Sequence, residues 1–204
     1  MNKAEKTLNT VRRMVMTKAV LAEVCGQETS GALWQKAEKG LEGLLEEYAA
    51  LPKPVRRHTE GTILPAVAVY RVLLDALPEK AMYIMEEGTK RAATMVGKSY
   101  AGMIKAPFMQ GVFLKVFALG AKKMFGPSAG FQNVFYRTDA KVFQMDITQC
   151  PYSRYCNELG CPELTHIFCS SDVYAYGSLP GIRFTRTQTI GSGGEKCDFL
   201  MEKM

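Results

Sequence analysis

The sequence lacks the short motifs that mark several large enzyme classes. It contains no Walker phosphate loop, no Rossmann glycine pattern and no HExxH metal motif. Each of these motifs places defined groups around a phosphate or a metal ion. Nucleotide-dependent chemistry and HExxH-type zinc hydrolase chemistry therefore find no support in the sequence.

Long apolar runs are also missing. A membrane helix needs about 20 consecutive apolar residues, and the segment that comes closest, Phe108–Phe125, contains three lysines. The apolar stretch near the N-terminus is interrupted by Lys18 and Glu23, so it has no secretory core. We therefore expect a cytoplasmic protein without a membrane span.

The composition is that of an ordinary globular protein. The 204 residues are 47% hydrophobic and 23% charged, which fits one domain over residues 1–204. Residues 1–126 form its predicted helical part, and residues 127–204 form a predicted α+β part that carries the site. The net charge of +6 comes from residues 1–130, where the positive surplus is spread over helices without a dense basic stripe, so we expect no nucleic-acid partner.

Apolar residues at helical spacing predict a largely helical first part. The predicted helices run from Lys3 to Val24, Gly31 to Ala50, Pro65 to Leu77, Pro78 to Val96 and Pro107 to Met124. Residues 25–30 are predicted as a turn, and His58 and Glu60 as exposed loop residues. The Phe108–Met124 helix is apolar on most of its sides, so we expect it across the core or at a contact in a homo-oligomer.

After Pro127 the sequence turns to aromatic and β-branched residues that are typical of strands. The predicted strands are Asn133–Thr138, Lys141–Ile147, Ile182–Ile190 and Glu195–Met201, and the predicted short helices are Pro151–Leu159 and Glu163–Phe168. The fold class is therefore α+β, an N-terminal helical bundle followed by a small antiparallel sheet with short helices.

The last predicted hairpin carries polar side chains on its apolar face. Alternation along a strand puts Arg186 and Gln188 on the same face as the apolar residues. If Ile190 pairs with Glu195 across the turn, Gln188 lies opposite Cys197, Arg186 opposite Phe199 and Phe184 opposite Met201. A buried guanidinium needs an anion, so Arg186 is predicted to meet a ligand anion or to form a structural ion pair with Asp172 or Asp146.

Cysteine is distributed unevenly. Cys25 is alone in the first 130 residues, while five cysteines follow at intervals of 5, 4, 7 and 27 intervening residues. These intervals match no standard zinc pattern, so structural packing is the plainer interpretation for Cys156 and Cys161. His166 and Cys169, three residues apart, are candidates for a metal site or a base and thiol pair, or His166 is a partly buried polar residue. Cys169 is predicted where a short helix ends, and a cation such as Arg186 would lower the pKa of its thiol.

Several segments of the C-terminal part resemble the L-2-amino-thiazoline-4-carboxylic acid hydrolase family. They are Asp146–Tyr152 (DITQCPY), Cys156–Leu164 (CNELGCPEL), Phe168–Asp172 (FCSSD), Leu179–Gly191 (LPGIRFTRTQTIG) and Cys197–Phe199 (CDF), with Ile63–Arg71 (ILPAVAVYR) upstream. The ending is also similar to the 4-vinyl-reductase-type small-molecule-binding domain. The resemblance points to Cys150, Cys169, Asp172, Arg186 and Cys197.

The resemblance implies a hydrolase that opens a cyclic thiazoline-type amidine at a C–N bond to a carbamoyl-cysteine-like product. In this hypothesis Arg186, with Gln188, binds a small-molecule substrate through its carboxylate. Asp172 activates water or positions the amidine, and Cys169 and Cys197 supply a thiolate or line the pocket. No cofactor is predicted.

The alternative is a non-catalytic small-molecule-binding or metal-binding domain. In that case zinc or iron would be held by Cys150, Cys169 and Cys197, with His166. A third interpretation is a structural partner protein that uses the Phe108–Met124 helix as its interface.

Overall fold

The computed structural model describes residues 2–204. Its helices are α1 (Lys3–Thr10), α2 (Arg12–Cys25), α3 (Gln27–Glu47), α4 (Lys53–His58), α5 (Leu64–Ala76), α6 (Pro78–Met103), α7 (Pro107–Met124), α8 (Pro151–Glu158) and α9 (Leu164–Tyr176). Its strands are β1 (Gln132–Thr138), β2 (Val142–Gln149), β3 (Ile182–Thr185) and β4 (Cys197–Lys203). The α+β class is confirmed.

The first predicted helix is in fact two helices. The backbone of Val11 is extended, with φ −68° and ψ 117°, and separates α1 from α2. The side chains of Asn9 and Thr10 bond to carbonyls of the preceding turn, a competition with the backbone that weakens a helix. The break starts α2 afresh, so that Arg12 and Arg13 stand in its first turn.

Two further helix boundaries in the N-terminal part differ from the prediction. The predicted turn at residues 25–30 is reduced to Gly26, whose φ of 82° lets the chain reverse at one residue before α3 begins at Gln27. His58 is not exposed: it ends α4 and is 3% accessible. A π-helical segment, Thr59–Ile63, joins α4 to α5 and keeps this region in the core.

One core joins the N-terminal helices to α8 and α9. Trp34, Leu41 and Met85 are buried in the same apolar cluster as Tyr155 and Phe168. Cys156 and Cys161 lie in that cluster as well, 0% and 2% exposed. The helical and C-terminal parts are thus packed against each other.

The four strands form one antiparallel sheet in the order β1-β2-β4-β3. A second apolar cluster covers one of its faces, where Phe143 and Phe199 meet Leu114 and Ala118 of α7. The opposite side of α7 is open: Phe108 and Leu119 are 70% and 71% exposed. Contact between copies of the chain through this helix stays a prediction.

The last hairpin is only partly as predicted. Phe184 pairs with Met201, as expected, but the ladder ends at Thr185 and Leu200, so the expected pairs of Arg186, Gln188 and Ile190 do not form. The carboxylate of Asp198 accepts the backbone N–H groups of Thr187 at 2.9 Å and Gln188 at 2.8 Å. A side chain thus takes hydrogen bonds that strand pairing would need, and the chain leaves the sheet after β3.

Helix α9 is longer than predicted. Ser170 and Ser171 do not end it: their hydroxyls donate to the carbonyls of Ile167 and Phe168 three residues back, at 2.9 and 2.7 Å, and the helix continues to Tyr176. Cys169 therefore lies inside the helix and not at its end. Cys169 and Asp172, three residues apart, project from the same side of α9.

Among the residues described, none of the helices combines the length and the apolar character that crossing a membrane requires.

Candidate active site

A cavity of about 160 Å³ lies between α9, the sheet and the helices that cover them. An engineered apolar cavity of about 150 Å³ accommodates benzene, so this space suits one small ring. Its wall is mostly aromatic and apolar, with seven residues that carry a thiol, a carboxyl, a guanidinium or a serine hydroxyl group. These seven are Arg13, Cys150, Cys169, Ser171, Asp172, Arg186 and Cys197.

Five of these residues were predicted from the sequence. The structure brings Cys150, Cys169, Asp172, Arg186 and Cys197 to one cavity from α8, α9, β4 and the segment after β3. Gln188 is not among the lining residues, and its side chain lies against Gly194. The early end of β3 explains the difference, since alternation along the chain stops where the strand stops.

Cys169 and Cys197 lie next to each other in the cavity wall. The Cys197 thiol donates a hydrogen bond to Cys169 and is the main reason that the pKa of Cys169 is lowered to about 6. Three other groups also lower the pKa of Cys169: the Gly191 N–H, the Thr189 hydroxyl and the nearby Arg186. Burial alone would raise it. The same hydrogen bond raises the pKa of Cys197. Cys169 is thus the thiolate of the pair at neutral pH.

The turn between β3 and β4 is built to approach these sulfurs. The Ile190 N–H donates to Cys197 Sγ at 3.3 Å, next to the Gly191 N–H that reaches Cys169. A Cβ on Gly191 would stand 2.9 Å from Cys169 Sγ and 2.9 Å from Thr165 Cγ2. Only glycine allows this turn to lie directly on α9.

Asp172 and Arg186 form an ion pair at the cavity. Arg186 Nη1 lies 2.9 Å from Asp172 Oδ2, with 9% of the Arg186 side chain and 36% of the Asp172 side chain accessible. Burial among protein atoms raises the pKa of Asp172 to about 7, although Arg186 and Arg13 oppose that rise. Asp146, the other expected partner, pairs with Lys196 at 2.5 Å instead. Asp172 can therefore exchange a proton near neutral pH.

Cys150 is the most protected thiol of the cavity. Burial raises its pKa to about 11, so it is a protonated wall residue at neutral pH. It is the N-cap residue of α8.

His166 does not line the cavity. It is exposed, and its Nδ1 lies 3.3 Å from Ser192 Oγ. Among residues 2–204, His, Cys, Asp and Glu side chains form no group of three or more placed to hold a metal ion. The thiols of the cavity thus lack the donor set that a zinc or iron site with His166 would need.

Two functional candidates were missed by sequence reasoning. Arg13 reaches the cavity from α2, and its guanidinium carbon lies 4.8 Å from the ring centroid of Phe168. His58 donates from Nε2 to the Met124 carbonyl at 3.0 Å, so its Nδ1 accepts the hydroxyl of Tyr152, a cavity residue, at 3.1 Å. Burial lowers the pKa of His58, which favours this neutral form. No local pattern marks either residue, because long-range packing makes both contacts.

The fold and the cavity define a class of α+β protein in which helices pack on a small antiparallel sheet and enclose a pocket lined by thiol, carboxyl and guanidinium groups. Within this class, the family model for L-2-amino-thiazoline-4-carboxylic acid hydrolase matches residues 56–201, and the chain belongs to that family. No curated protein and no solved structure matches the chain.

Proposed function

We propose that the protein is a hydrolase that opens a small cyclic amidine of the thiazoline-carboxylate type at its ring C–N bond. The family membership supports the substrate class. The observation that carries the proposal is that Cys169 and the Asp172 carboxyl line one cavity, with Arg186 2.9 Å from Asp172. Hydrogen bonds lower the pKa of Cys169 and burial raises the pKa of Asp172, which favours a thiolate beside a proton donor at neutral pH.

The first step is addition of Cys169 to the amidine carbon. The thiolate forms a C–S bond, and protonated Asp172 gives its proton to the ring nitrogen. The exocyclic amino group then supplies the electron pair that expels the ring nitrogen and passes one proton to it. The ring C–N bond breaks, which leaves a primary amine and an imine carbon held on Cys169.

The second step is hydrolysis of this intermediate. Water adds its hydroxyl to the imine carbon and one hydrogen to the imine nitrogen. The hydroxyl proton passes to the Asp172 carboxylate as the carbonyl forms, and the Cys169 sulfur leaves as a thiolate. The product is an S-carbamoyl cysteine, and both residues return to their starting states.

Arg186 and Cys197 support these two groups in the proposal. Arg186 orients the Asp172 carboxyl through the 2.9 Å ion pair and adds positive charge to the cavity. Cys197 donates to Cys169 and keeps it deprotonated. Cys150 and the aromatic residues exclude bulk water.

The Cys169→Ser variant tests the proposal. We expect turnover of 2-amino-thiazoline-4-carboxylate to fall at least about a hundredfold, because a serine hydroxyl stays protonated where the thiol ionises. Cys25→Ser is the matched control: Cys25 ends α2, does not line the cavity, and its replacement leaves turnover unchanged.

Mass spectrometry of rapidly quenched wild-type reactions should show substrate mass added to Cys169. If Cys169→Ser turns over normally while Asp172→Asn does not, water attacks the amidine directly and the covalent step is wrong. If wild-type protein binds the thiazoline and never opens it, the non-catalytic binding domain is the better description.

A further inference from the structure

The Arg13 guanidinium is the charged group of the cavity that the proposed reaction does not use. It extends from the first turn of α2. Within residues 2–204, its Nη1 atom is buried and has no hydrogen-bond partner. A buried donor of this strength without a partner costs free energy, which a ligand that accepts its hydrogen bond would recover.

The position of Arg13 is electrostatically unfavourable within the protein alone. The N-terminal end of a helix carries partial positive charge, and the first turn of α2 contains two arginines and no acidic residue. Burial lowers the pKa of Arg13, and within the described chain the groups that oppose this are Tyr152 and Asp172. Tyr152 is neutral at pH 7, because burial raises its pKa to about 12.

The one carboxyl group beside Arg13 is already engaged. Asp172 Oδ2 pairs with Arg186 Nη1 at 2.9 Å, so Asp172 has to serve two guanidinium groups. Because the Asp172 pKa is raised to about 7, this carboxyl is partly protonated at neutral pH. Two guanidinium groups thus face the Cys169 thiolate and a partly protonated Asp172, so positive charge exceeds negative charge in the cavity and Arg13 has no anionic partner of its own among residues 2–204.

Packing holds the guanidinium in place for such an anion. Its carbon lies 4.8 Å from the ring centroid of Phe168, a cation–π contact that restrains the side chain, while Nη1 has no partner among residues 2–204. Arg13, Ser171, Asp172 and Tyr176 also line an adjoining cleft of about 280 Å³ between α2, α6 and α9. Arg13 therefore lies where the cleft meets the cavity, and an anion that enters through the cleft would pass it.

We infer that Arg13 binds the carboxylate of the substrate, and that α2, which lies before the residues matched by the family model, decides which amidines the enzyme accepts. The inference rests on the proposed function in identifying the anion as the carboxylate of a small ring. A planar guanidinium can hold a carboxylate through two parallel hydrogen bonds. With the carboxylate on Arg13, the other end of the ring is directed to Cys169 and Asp172.

Binding of two stable ring compounds tests this inference without requiring turnover. The probes are 2-aminothiazole-4-carboxylate and its neutral carboxamide, titrated by calorimetry. The wild-type protein should bind the carboxylate at least about tenfold more tightly. Arg13→Gln should lose that preference, whereas Arg57→Gln, which removes an exposed arginine, should keep it.

The outcomes separate the two proposals. If Arg13→Gln keeps the full preference, the role of Arg13 is wrong, whatever the turnover. If the preference is lost but Cys169→Ser still opens the thiazoline, the inference stands and the proposed chemistry fails. Should Arg13→Gln not fold, Arg13→Lys provides the measurement. A reduced preference then supports the inference, because lysine keeps the charge without the planar fork, and an unchanged one overturns it.

Discussion

At the scale of single residues, the site depends on two groups whose pKa values are moved in opposite directions. Hydrogen bonds, the strongest from Cys197, lower the pKa of Cys169 to about 6. Burial raises the pKa of Asp172 to about 7, and the negative charge of Cys169 adds to that rise. Each group therefore favours the charge state that the proposed reaction needs from the other.

This pair predicts a bell-shaped pH dependence of kcat/KM. Activity should rise through about pH 6 as Cys169 loses its proton, and fall above about pH 7 as Asp172 loses the proton it must donate. The measurement is initial rates from pH 5 to 9 in buffers of constant ionic strength. Asp172→Asn should be slow and should lack the alkaline limb. A wild-type profile that is flat over this range would contradict both assignments.

Sequence reasoning named most of the reacting groups at this scale. Cys169, Asp172, Arg186 and Cys197 follow from the strand alternation and the family resemblance, and the structure brings them together. The prediction that His58 is exposed was wrong because the residues that contact it are far away in sequence. They are Met124 and Tyr152, 66 and 94 residues further along the chain. Local polarity cannot report such burial.

At the scale of elements, α9 and the turn before β4 form one unit. The helix presents Cys169, and the turn brings the N–H groups of Ile190 and Gly191 to the two sulfurs. Neither element makes the site alone. The close approach at Gly191 is what joins them.

The Gly191→Ala variant tests this unit. The new Cβ would lie 2.9 Å from Cys169 Sγ and 3.0 Å from the Thr165 carbonyl carbon, so the turn must move away from α9. Loss of the hydrogen bond from the N–H of residue 191 to Cys169 should raise the pKa of Cys169 and shift the midpoint of iodoacetamide labelling to higher pH. We expect kcat/KM at pH 6.5 to fall about tenfold, a difference of about 1.4 kcal/mol.

Gly40→Ala is the matched control for this variant. Gly40 lies within α3, and a Cβ there meets nothing within 4 Å. Alanine should therefore leave labelling and turnover unchanged and stabilise the helix slightly. An unchanged labelling midpoint in Gly191→Ala would show that the Gly191 N–H does not act on Cys169.

At the scale of the whole molecule, the site depends on packing between the two parts of the chain. Arg13 belongs to α2, while Phe168, on which it stacks, belongs to α9. Both parts also share the apolar cluster that contains Trp34 and Tyr155. We propose that residues 1–204 form a single cooperative domain.

Urea unfolding checks this proposal with two probes. Fluorescence of Trp34, the sole tryptophan, reports on the helical part, and pulse labelling of Cys197 reports on the sheet. A single domain requires equal midpoints for the two probes, with Cys25 labelled in parallel as an internal reference for α2. Exposure of Cys197 at distinctly lower urea than the fluorescence change would show two separately unfolding units.

By itself, the sequence determined the fold class, most of the elements, the pairing of Phe184 with Met201 and the thiol, carboxyl and arginine residues of the candidate site. The elements and the pairing follow from periodicity and strand alternation, which are local properties of the chain, and the site residues follow from strand alternation together with the family resemblance. Only the tertiary structure decided the end of β3, the continuation of α9, the burial of His58 and the arrival of Arg13 at the cavity. Each depends on a contact that forms when distant segments pack or when a side chain competes with the backbone, and such contacts leave no periodic trace in the sequence.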